Sequence, residues 1–535
     1  MPSPPVPPSE PPPPPPNPPA PPEIPEAFTP LPATPAPPPP APFPPVAVVP
    51  EPPVVIAPVR MFIPLPPLPP VRVPVVTGAR THLDCTCVHR NLRMSKETLY
   101  GWGRTSPSVS DVVSPATELE VIKDMSTAKQ YIARGLGRSY GDAAQLGGGT
   151  VIDNRDLDGV GVISNDGVVT VGAGTSIDEL LSFSIPQGWF VPVTPGTRQV
   201  TLGGAVAADV HGKNHHVDGS FGNHVLEMRL VTPKGAVTIS PKDDAELFWA
   251  TVGGMGLTGV ITTVTVQMLK IESSQVLVDT ERFENLDAVM SAMQSGDDAY
   301  KYSVAWVDCM TKGSSMGRAI LTRGDHAKKG DDSKRLEGPK PAKLLVPFNA
   351  PSGLLNSLTI KAFNEVWFRA APKKKLAQPQ SLSAFFHPLD GVRDWNRLYG
   401  KRGFVQYQFA VPDSAGETVN KVIERLSSSG VPSFLAVLKR FGPSNDGMLS
   451  FPMPGWTLAL DLPVGPSALP QVLDDLDEMV LNAGGRIYFA KDARLSHEKV
   501  RAMYPRLDEF LNVKNRVDPE GRLISDLSRR LHIGR

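Results

Sequence analysis

A chain of 535 residues has room for roughly two or three domains around a sizeable core. Its 54 Lys+Arg balance its 54 Asp+Glu, so bulk charge argues against a nucleic-acid binder or a selector of acidic substrates, and electrostatics must be read locally. Three cysteines, Cys85, Cys87 and Cys309, are too few for a disulfide framework, and Cys85-Thr-Cys87 lacks the partner ligands of a zinc site, so no metal is expected.

Residues 1–76 carry more than half of the 60 prolines, which neither propagate a helix nor sit in a central strand. The stretch 1–97 is expected to be an extended, disordered tail. Its apolar part, 46–76, is broken by recurrent prolines and by Arg60 and Arg72, which excludes a transmembrane helix. No basic region followed by a proline-free apolar core marks a secretory signal. A wall-spanning or partner-binding linker and an over-extended start site both fit this composition.

Folded sequence is expected from 98–103, where LYGWGRTSPS interrupts the prolines. A helix is predicted over 117–133, between two short extended pieces. It leads into a glycine loop, RGLGRSYGD at 134–142, whose Gly135, Gly137 and Gly141 give GxGxxxG and not the Rossmann spacing. Residues 166–174 read as a strand, and 176–183 have the N-cap and spacing of a short helix. Next comes PGTRQVTLGGAVAADVHGKNHHVDGSFGN at 195–223. Here Gly203 and Gly204 would let a planar or phosphorylated ligand approach backbone N–H groups, beside His211, Lys213, His215 and His216 with their adjustable pKa values. A strand at 225–232, a third glycine-rich turn within 243–259 and the β-branched run VITTVTVQM complete an arrangement suited to a long cofactor lying across several turns.

Residues 271–380 say less. The charged stretch 328–343, KKGDDSKRLEGPKPAK, reads as a surface loop, either a lid over the site or a solvated connection. Beyond it, 403–411 alternates as a strand, with Val405, Tyr407, Phe409 and Val411 on one face and Gln406 and Gln408 on the other. A helix with the stripe Val419, Val422, Ile423 and Leu426 stops at Gly430. Strands at 433–441 and 456–462 follow. A second helix, with Leu469, Val472, Leu473, Leu476 and Met479 inward, ends at Gly484-Gly485, and a last strand covers 486–490. This βαββαβ order places both helices on one face of an antiparallel sheet and frees the other to cover a ligand. Gln406, Gln408, Lys439, Thr457 and Ala459 could line that free face, with Lys491 just past it; alternation alone leaves the face of Lys439 open.

GLGRSYGD, PGTRQVTLGGAVAADVHGKNHH and ELFWATVGGMGLTG resemble the FAD-binding segments of vanillyl-alcohol-oxidase-type flavoproteins, the PCMH fold. More narrowly, from about Gly101 to the C-terminus, the chain resembles the actinobacterial branch that oxidises the 2'-hydroxyl of decaprenylphosphoryl-β-D-ribose for cell-wall arabinan synthesis. The resemblance implies an α+β protein: a PCMH-type FAD-binding domain at 98–275, a substrate-binding cap domain with an antiparallel sheet at 276–485, and a segment, 486–535, returning to the FAD domain. It implies FAD contacts from Arg134, Gly135, Leu136, Gly137, Arg138, Ser139, Tyr140, Gly141 and Asp142. Further FAD contacts are implied from Gly196, Thr201, Gly203, Gly204, Ala208, His211, Ile261, Tyr488 and Lys491. The implied substrate pocket is Tyr140, His211, Lys213, Gln406, Gln408, Lys439, Thr457, Ala459 and Lys491.

His211 and Lys491 are the candidates for placing and deprotonating the hydroxyl, in either division of labour. Lys213, Lys439 and Arg138 are candidates for phosphate contacts, and His215 and His216 are expected to be structural. Where many relatives tether the flavin through a histidine, this chain has Arg138, so noncovalent FAD is expected. Ala459 stands where mycobacterial members of the branch carry the cysteine attacked by nitro-aromatic inhibitors. The expected partners are a polyprenyl-phosphate sugar, an NADH-dependent keto-sugar reductase and, peripherally, the membrane, in the cell envelope, on the periplasmic side or at the periphery of the plasma membrane. The alternatives are an oxygen-using alditol or sugar oxidase and a non-catalytic scaffold whose proline tract recruits partners.

Overall fold

The computed structural model describes residues 94–329, 336–351 and 353–534. Cys85, Cys87 and the proline-rich stretch as far as 93 lie outside the described residues. Strand Ser95–Leu99 already begins within the 1–97 stretch expected to be a disordered tail, and it pairs antiparallel with Ser108–Val113. The latter runs parallel to Thr150–Asp153, which in turn runs parallel to Tyr131–Arg134. The helix expected over 117–133 covers only Glu118–Thr127, capped by the Thr117 hydroxyl, which accepts from Glu120 N–H at 3.2 Å. It stops because YIAR, buried at Tyr131 and Ile132, enters the sheet.

A second, wholly antiparallel sheet has the order Val168–Gly172, Val260–Gln267, Val225–Thr232, Gly235–Ile239. Helix Ile177–Ser184 begins in a capping box, the Ser176 hydroxyl accepting from Glu179 N–H and Glu179 reaching back to Ser176 N–H.

The third sheet positions the site. It contains the βαββαβ unit: strand Phe404–Pro412, helix Glu417–Ser429 ending at Gly430 (φ 72°), strands Ala436–Phe441 and Gly455–Pro463, helix Leu469–Asn482 and strand Arg486–Ile487. The strand expected over 433–441 starts at Ala436, and that expected over 486–490 is two residues long. Four more strands, Gln275–Phe283, Tyr302–Val307, Ala319–His326 and Lys374–Ser381, extend the sheet to eight, all antiparallel. Val419, Val422, Ile423, Leu426, Val472, Leu473 and Leu476 are buried, as their helical spacing requires.

The C-terminal segment returns to the first sheet. Tyr131 N–H donates to the Arg522 carbonyl at 2.9 Å, and Ile524 N–H to the Tyr131 carbonyl at 3.1 Å. Arg530 pairs with Asp142 at 2.8 Å and with Asp492 at 2.9 Å. Among the described residues no helix is long and apolar enough to cross a membrane.

Candidate active site

A cavity of about 680 Å³ lies between the glycine-rich turns and the helix-free face of the eight-stranded sheet, a size typical of small-molecule sites. Residues 134–140 form one wall. The loop is pinned from behind: Ser139 and Tyr140 carbonyls accept from Trp102 and Gly103 N–H at 2.8 and 3.0 Å, and Tyr140 N–H donates to the Ala490 carbonyl at 2.8 Å. Only glycine fits at 135, where a β-carbon would come 2.2 Å from Thr201 Oγ1. The backbone N–H groups of 136–139 find no acceptor among the described residues, leaving a row of donors at the cavity wall. Arg138 donates to the Leu136 carbonyl at 2.9 Å and lies 4.1 Å over the Trp102 ring.

Gly196, Thr201, Gly203, Gly204, Ala208, His211 and Ile261 line the cavity from the second glycine stretch and the second sheet. One expectation is corrected here. The N–H groups of Gly203 and Gly204 are not free donors, since they bond to the Ala173 carbonyl and to Thr201 Oγ1 as helix Leu202–Ala207 starts. These glycines provide close approach only.

From the sheet come Gln406, Gln408, Lys439 and Ala459, with Tyr488 and Lys491 beyond the last strand. Register places Gln408 and Val437 on either side of Ala459, and Lys439 opposite Thr457, which puts Lys439 on the cavity face. His211 is gripped at both ring nitrogens: Lys439 Nζ lies 3.0 Å from Nδ1 and Gln408 Nε2 3.0 Å from Nε2. A neutral imidazole has one donor and one acceptor. When the Lys439 ammonium donates to Nδ1, Nε2 carries the hydrogen and Gln408 must turn its amide oxygen toward it. Burial, then Lys439, then His215 and Lys491 hold the His211 pKa well below the usual histidine value.

Burial, helped by Lys213 and Lys491, brings Lys439 down to about 7, and burial brings Lys491 down to about 8 against the pull of Asp461. Lys491 Nζ sits 4.0 Å from the centre of the Tyr140 ring and has no hydrogen-bond partner among the described residues. Behind it, buried Asp461 accepts from Gln406 Nε2 at 2.5 Å and from the Tyr399 hydroxyl at 3.2 Å, and burial raises its pKa to about 6.

Four expected site residues stand elsewhere. Gly141 backs onto the Asp492 carbonyl, 1.9 Å from where its β-carbon would be, and Asp142 pairs with Arg530. Both tie the loop to the C-terminal segment and do not face the cavity. Lys213, buried with its pKa lowered to about 7, donates to the Phe385 carbonyl and lies 4.1 Å over the Phe385 ring, outside the cavity lining. Thr457 is wholly buried outside the cavity lining, with its hydroxyl 3.2 Å from Gln408 Nε2, where it holds Gln408.

His215 accepts from Gly442 N–H at 3.2 Å, and His216 Nε2 lies 2.9 Å from the Tyr300 carbonyl. Sequence reasoning missed the mouth. There Arg198, 3% exposed, donates to Asp178 and to the Lys340 carbonyl, and Asp390 accepts from the Thr197 hydroxyl at 2.6 Å and Arg198 N–H at 2.8 Å. Pro341 and Ala342, from the described part of the 328–343 loop, also line the cavity.

Comparison with known proteins accords with this geometry. Residues 109–240 match the FAD binding domain family, and 468–531 match D-arabinono-1,4-lactone oxidase. The chain is 44% identical to decaprenylphosphoryl-β-D-ribose oxidase of Mycolicibacterium smegmatis, over 81% of this chain and 97% of that protein. It is 37% identical to an uncharacterized Streptomyces coelicolor protein, over 66% of this chain and 99% of that one, and 24% identical to L-gulono-1,4-lactone dehydrogenase of Mycobacterium tuberculosis, over 79% and 96%. The residues present fit FAD. The unpaired N–H groups of 136–139 suit a pyrophosphate, and Gly196, with nothing within 4 Å of its would-be β-carbon, leaves room for a flat ring system. The chain belongs to the decaprenylphosphoryl-β-D-ribose oxidase family of FAD-dependent oxidoreductases.

Proposed function

We propose that the enzyme oxidises the 2'-hydroxyl of decaprenylphosphoryl-β-D-ribose to the 2'-ketone, the first half of epimerisation to decaprenylphosphoryl-arabinose. A reductase using NADH would complete the epimerisation. Extensive identity to the mycobacterial oxidase supports the substrate. FAD, bound noncovalently, supplies the acceptor for the hydride leaving the alcohol carbon.

The observation that carries the chemistry is the contrast between Lys491 and His211. Lys491 has a pKa of about 8 and, in the cavity, an Nζ with no hydrogen-bond partner among the described residues, whereas both nitrogens of His211 are held by protein. Lys491 takes the hydroxyl proton in its neutral form, and the His211 ring, fixed by Lys439 and Gln408, orients the sugar by packing against it. Arg138 and Lys439 offer positive charge to phosphate, and Ala459 packs against the sugar without a reactive thiol. The cofactor side of the cavity corresponds to 98–275 with 486–535 folded back on it, and the substrate side to 276–485. A polyprenyl substrate puts the enzyme at the membrane periphery in the cell envelope.

Anaerobic mixing of the FAD-loaded enzyme with farnesylphosphoryl-β-D-ribose should bleach the flavin. The match of 468–531 to a lactone oxidase gives a second reading, oxidation of a soluble sugar or alditol. Bleaching by free alditols or aldonolactones, with none by the polyprenyl substrate, would establish that reading instead.

A further inference from the structure

Residues 343–376, between the cavity mouth and the outer edge of the eight-stranded sheet, invert the usual pattern of a protein surface. Nine of the eighteen exposed large apolar side chains among the described residues fall in this stretch. Helix Ser357–Ala370 turns Ile360, Asn364 and Phe368 inward, where Asn364 Nδ2 meets Asp308 at 2.7 Å. Its outer face carries Leu358 (78% exposed), Val366 (69%) and Trp367 (51%), with the Phe363 ring stacked on Trp367 at 6.0 Å. A helix bathed only in water carries its polar residues on that side.

Charge supplies the second observation. The stretch holds six cations, Lys343, Lys361, Arg369, Lys373, Lys374 and Lys375, against one carboxylate, Glu365, in a chain with no net charge. Glu365 is itself engaged by Arg318, at 2.7 Å, and by Arg369. Exposed Trp, Phe and Leu set among lysines match the boundary of an anionic bilayer, where rings and aliphatic stems enter the headgroup region while ammonium groups meet lipid phosphates. Position is the third. Strand Leu344–Leu345, exposed at both residues, pairs with Val392–Arg393, and both residues of that partner line the cavity, as do Pro341 and Ala342. The apolar, basic surface therefore runs up to the cavity mouth.

We propose that the exposed apolar and basic side chains of 343–351 and 353–376 are a docking surface for an anionic lipid bilayer, which sets the cavity mouth at the headgroup plane where an isoprenoid phosphate presents its sugar. The surface is argued from the residues themselves; its use in substrate delivery rests on the function proposed above.

The test is co-sedimentation of the full-length, FAD-loaded enzyme with vesicles of phosphatidylcholine alone or mixed with phosphatidylglycerol, beside gel filtration without lipid. Binding should favour the anionic vesicles. It should fall by about 10-fold or more in Val366→Ser with Trp367→Ser, and separately in Lys373→Glu with Lys375→Glu, with unfolding midpoints unchanged. Failure of the parent enzyme to bind anionic vesicles, or unchanged binding by both variants, overturns the proposal. So does a concentration-dependent dimer that Trp367→Ser dissolves, because the patch is then an interface between copies. Flavin bleaching by dispersed farnesylphosphoryl-β-D-ribose is measured on the same samples. Vesicle binding without bleaching removes the proposed function and leaves the docking surface, and bleaching without vesicle binding does the reverse.

Discussion

At His211 both ring nitrogens are engaged within 3.0 Å, whereas among the described residues Lys491 Nζ has only the face of Tyr140 for company, and this difference makes the two roles separable. Replacing His211 by Ala should leave FAD bound and slow flavin reduction by about 10²-fold or more, through lost orientation. Lys491, brought to about 8 by burial, is protonated and unable to accept below that value and neutral above it. Flavin reduction should therefore rise with pH through about 8 and then level off. Rapid-mixing rates should keep this limb in His211→Ala and lose it in Lys491→Met; a limb that persists in Lys491→Met assigns the proton to another group. Two neighbouring positions give simpler expectations. With Arg138 in place of a tethering histidine, acid precipitation should release all flavin into the supernatant. With Ala459 on the cavity wall, a nitro-aromatic inhibitor activated during turnover should add no mass there, and an adduct on the 455–461 peptide would contradict this.

Among the elements, the glycine loop shows how one motif serves two ends. Its first part, 135–140, faces the cavity, and its last two residues face the C-terminal segment, with Asp142 accepting from Arg530 Nε and Nη2 at 2.9 and 2.8 Å. Arg530→Met strands Asp142 and Asp492, which are 7% and 4% exposed, without their cation. Breaking such a pair from one side should destabilise by about 3–5 kcal/mol, read by denaturant unfolding of the FAD-loaded enzyme. Sequence could announce the loop but not this division, because the partner is 388 residues away. For the same reason Arg198, bonded to Asp390 across 192 residues, gave no local signal. The βαββαβ unit was legible because the alternation Val405-Gln406-Tyr407-Gln408-Phe409 and the helical stripes at 419–426 and 469–479 are uninterrupted. The four strands between 275 and 381 were not. Edge strand Lys374–Ser381 is exposed along most of its length and contains Ala377 at φ 51° and Pro379, so it lacks the alternation that marks a half-buried strand.

Over the whole molecule, the cavity is built from chain positions far apart: 134–140, 196–211, 406–408, 437–439, 459 and 488–491 all reach it. One hydrophobic cluster runs beneath them, joining Val171 and Phe248 on the flavin side to Phe409 and Leu476 under the eight-stranded sheet, and to Phe510 near the C-terminus. Residues that are contiguous around a ligand and share one core should unfold together, and a ligand that binds only the folded chain stabilises all of them. Free FAD at about 100 times its dissociation constant should thus add about 2.7 kcal/mol of stability. That corresponds to a rise of several degrees in the midpoint of a single calorimetric transition. Two transitions, only one of them moving with FAD, would show instead that the cap sheet holds together independently of the flavin side. Arg530→Met sharpens the comparison, because loosening the C-terminal tie should lower the midpoint while keeping the transition single and FAD-dependent if the shared core, more than the tie, couples the two sides.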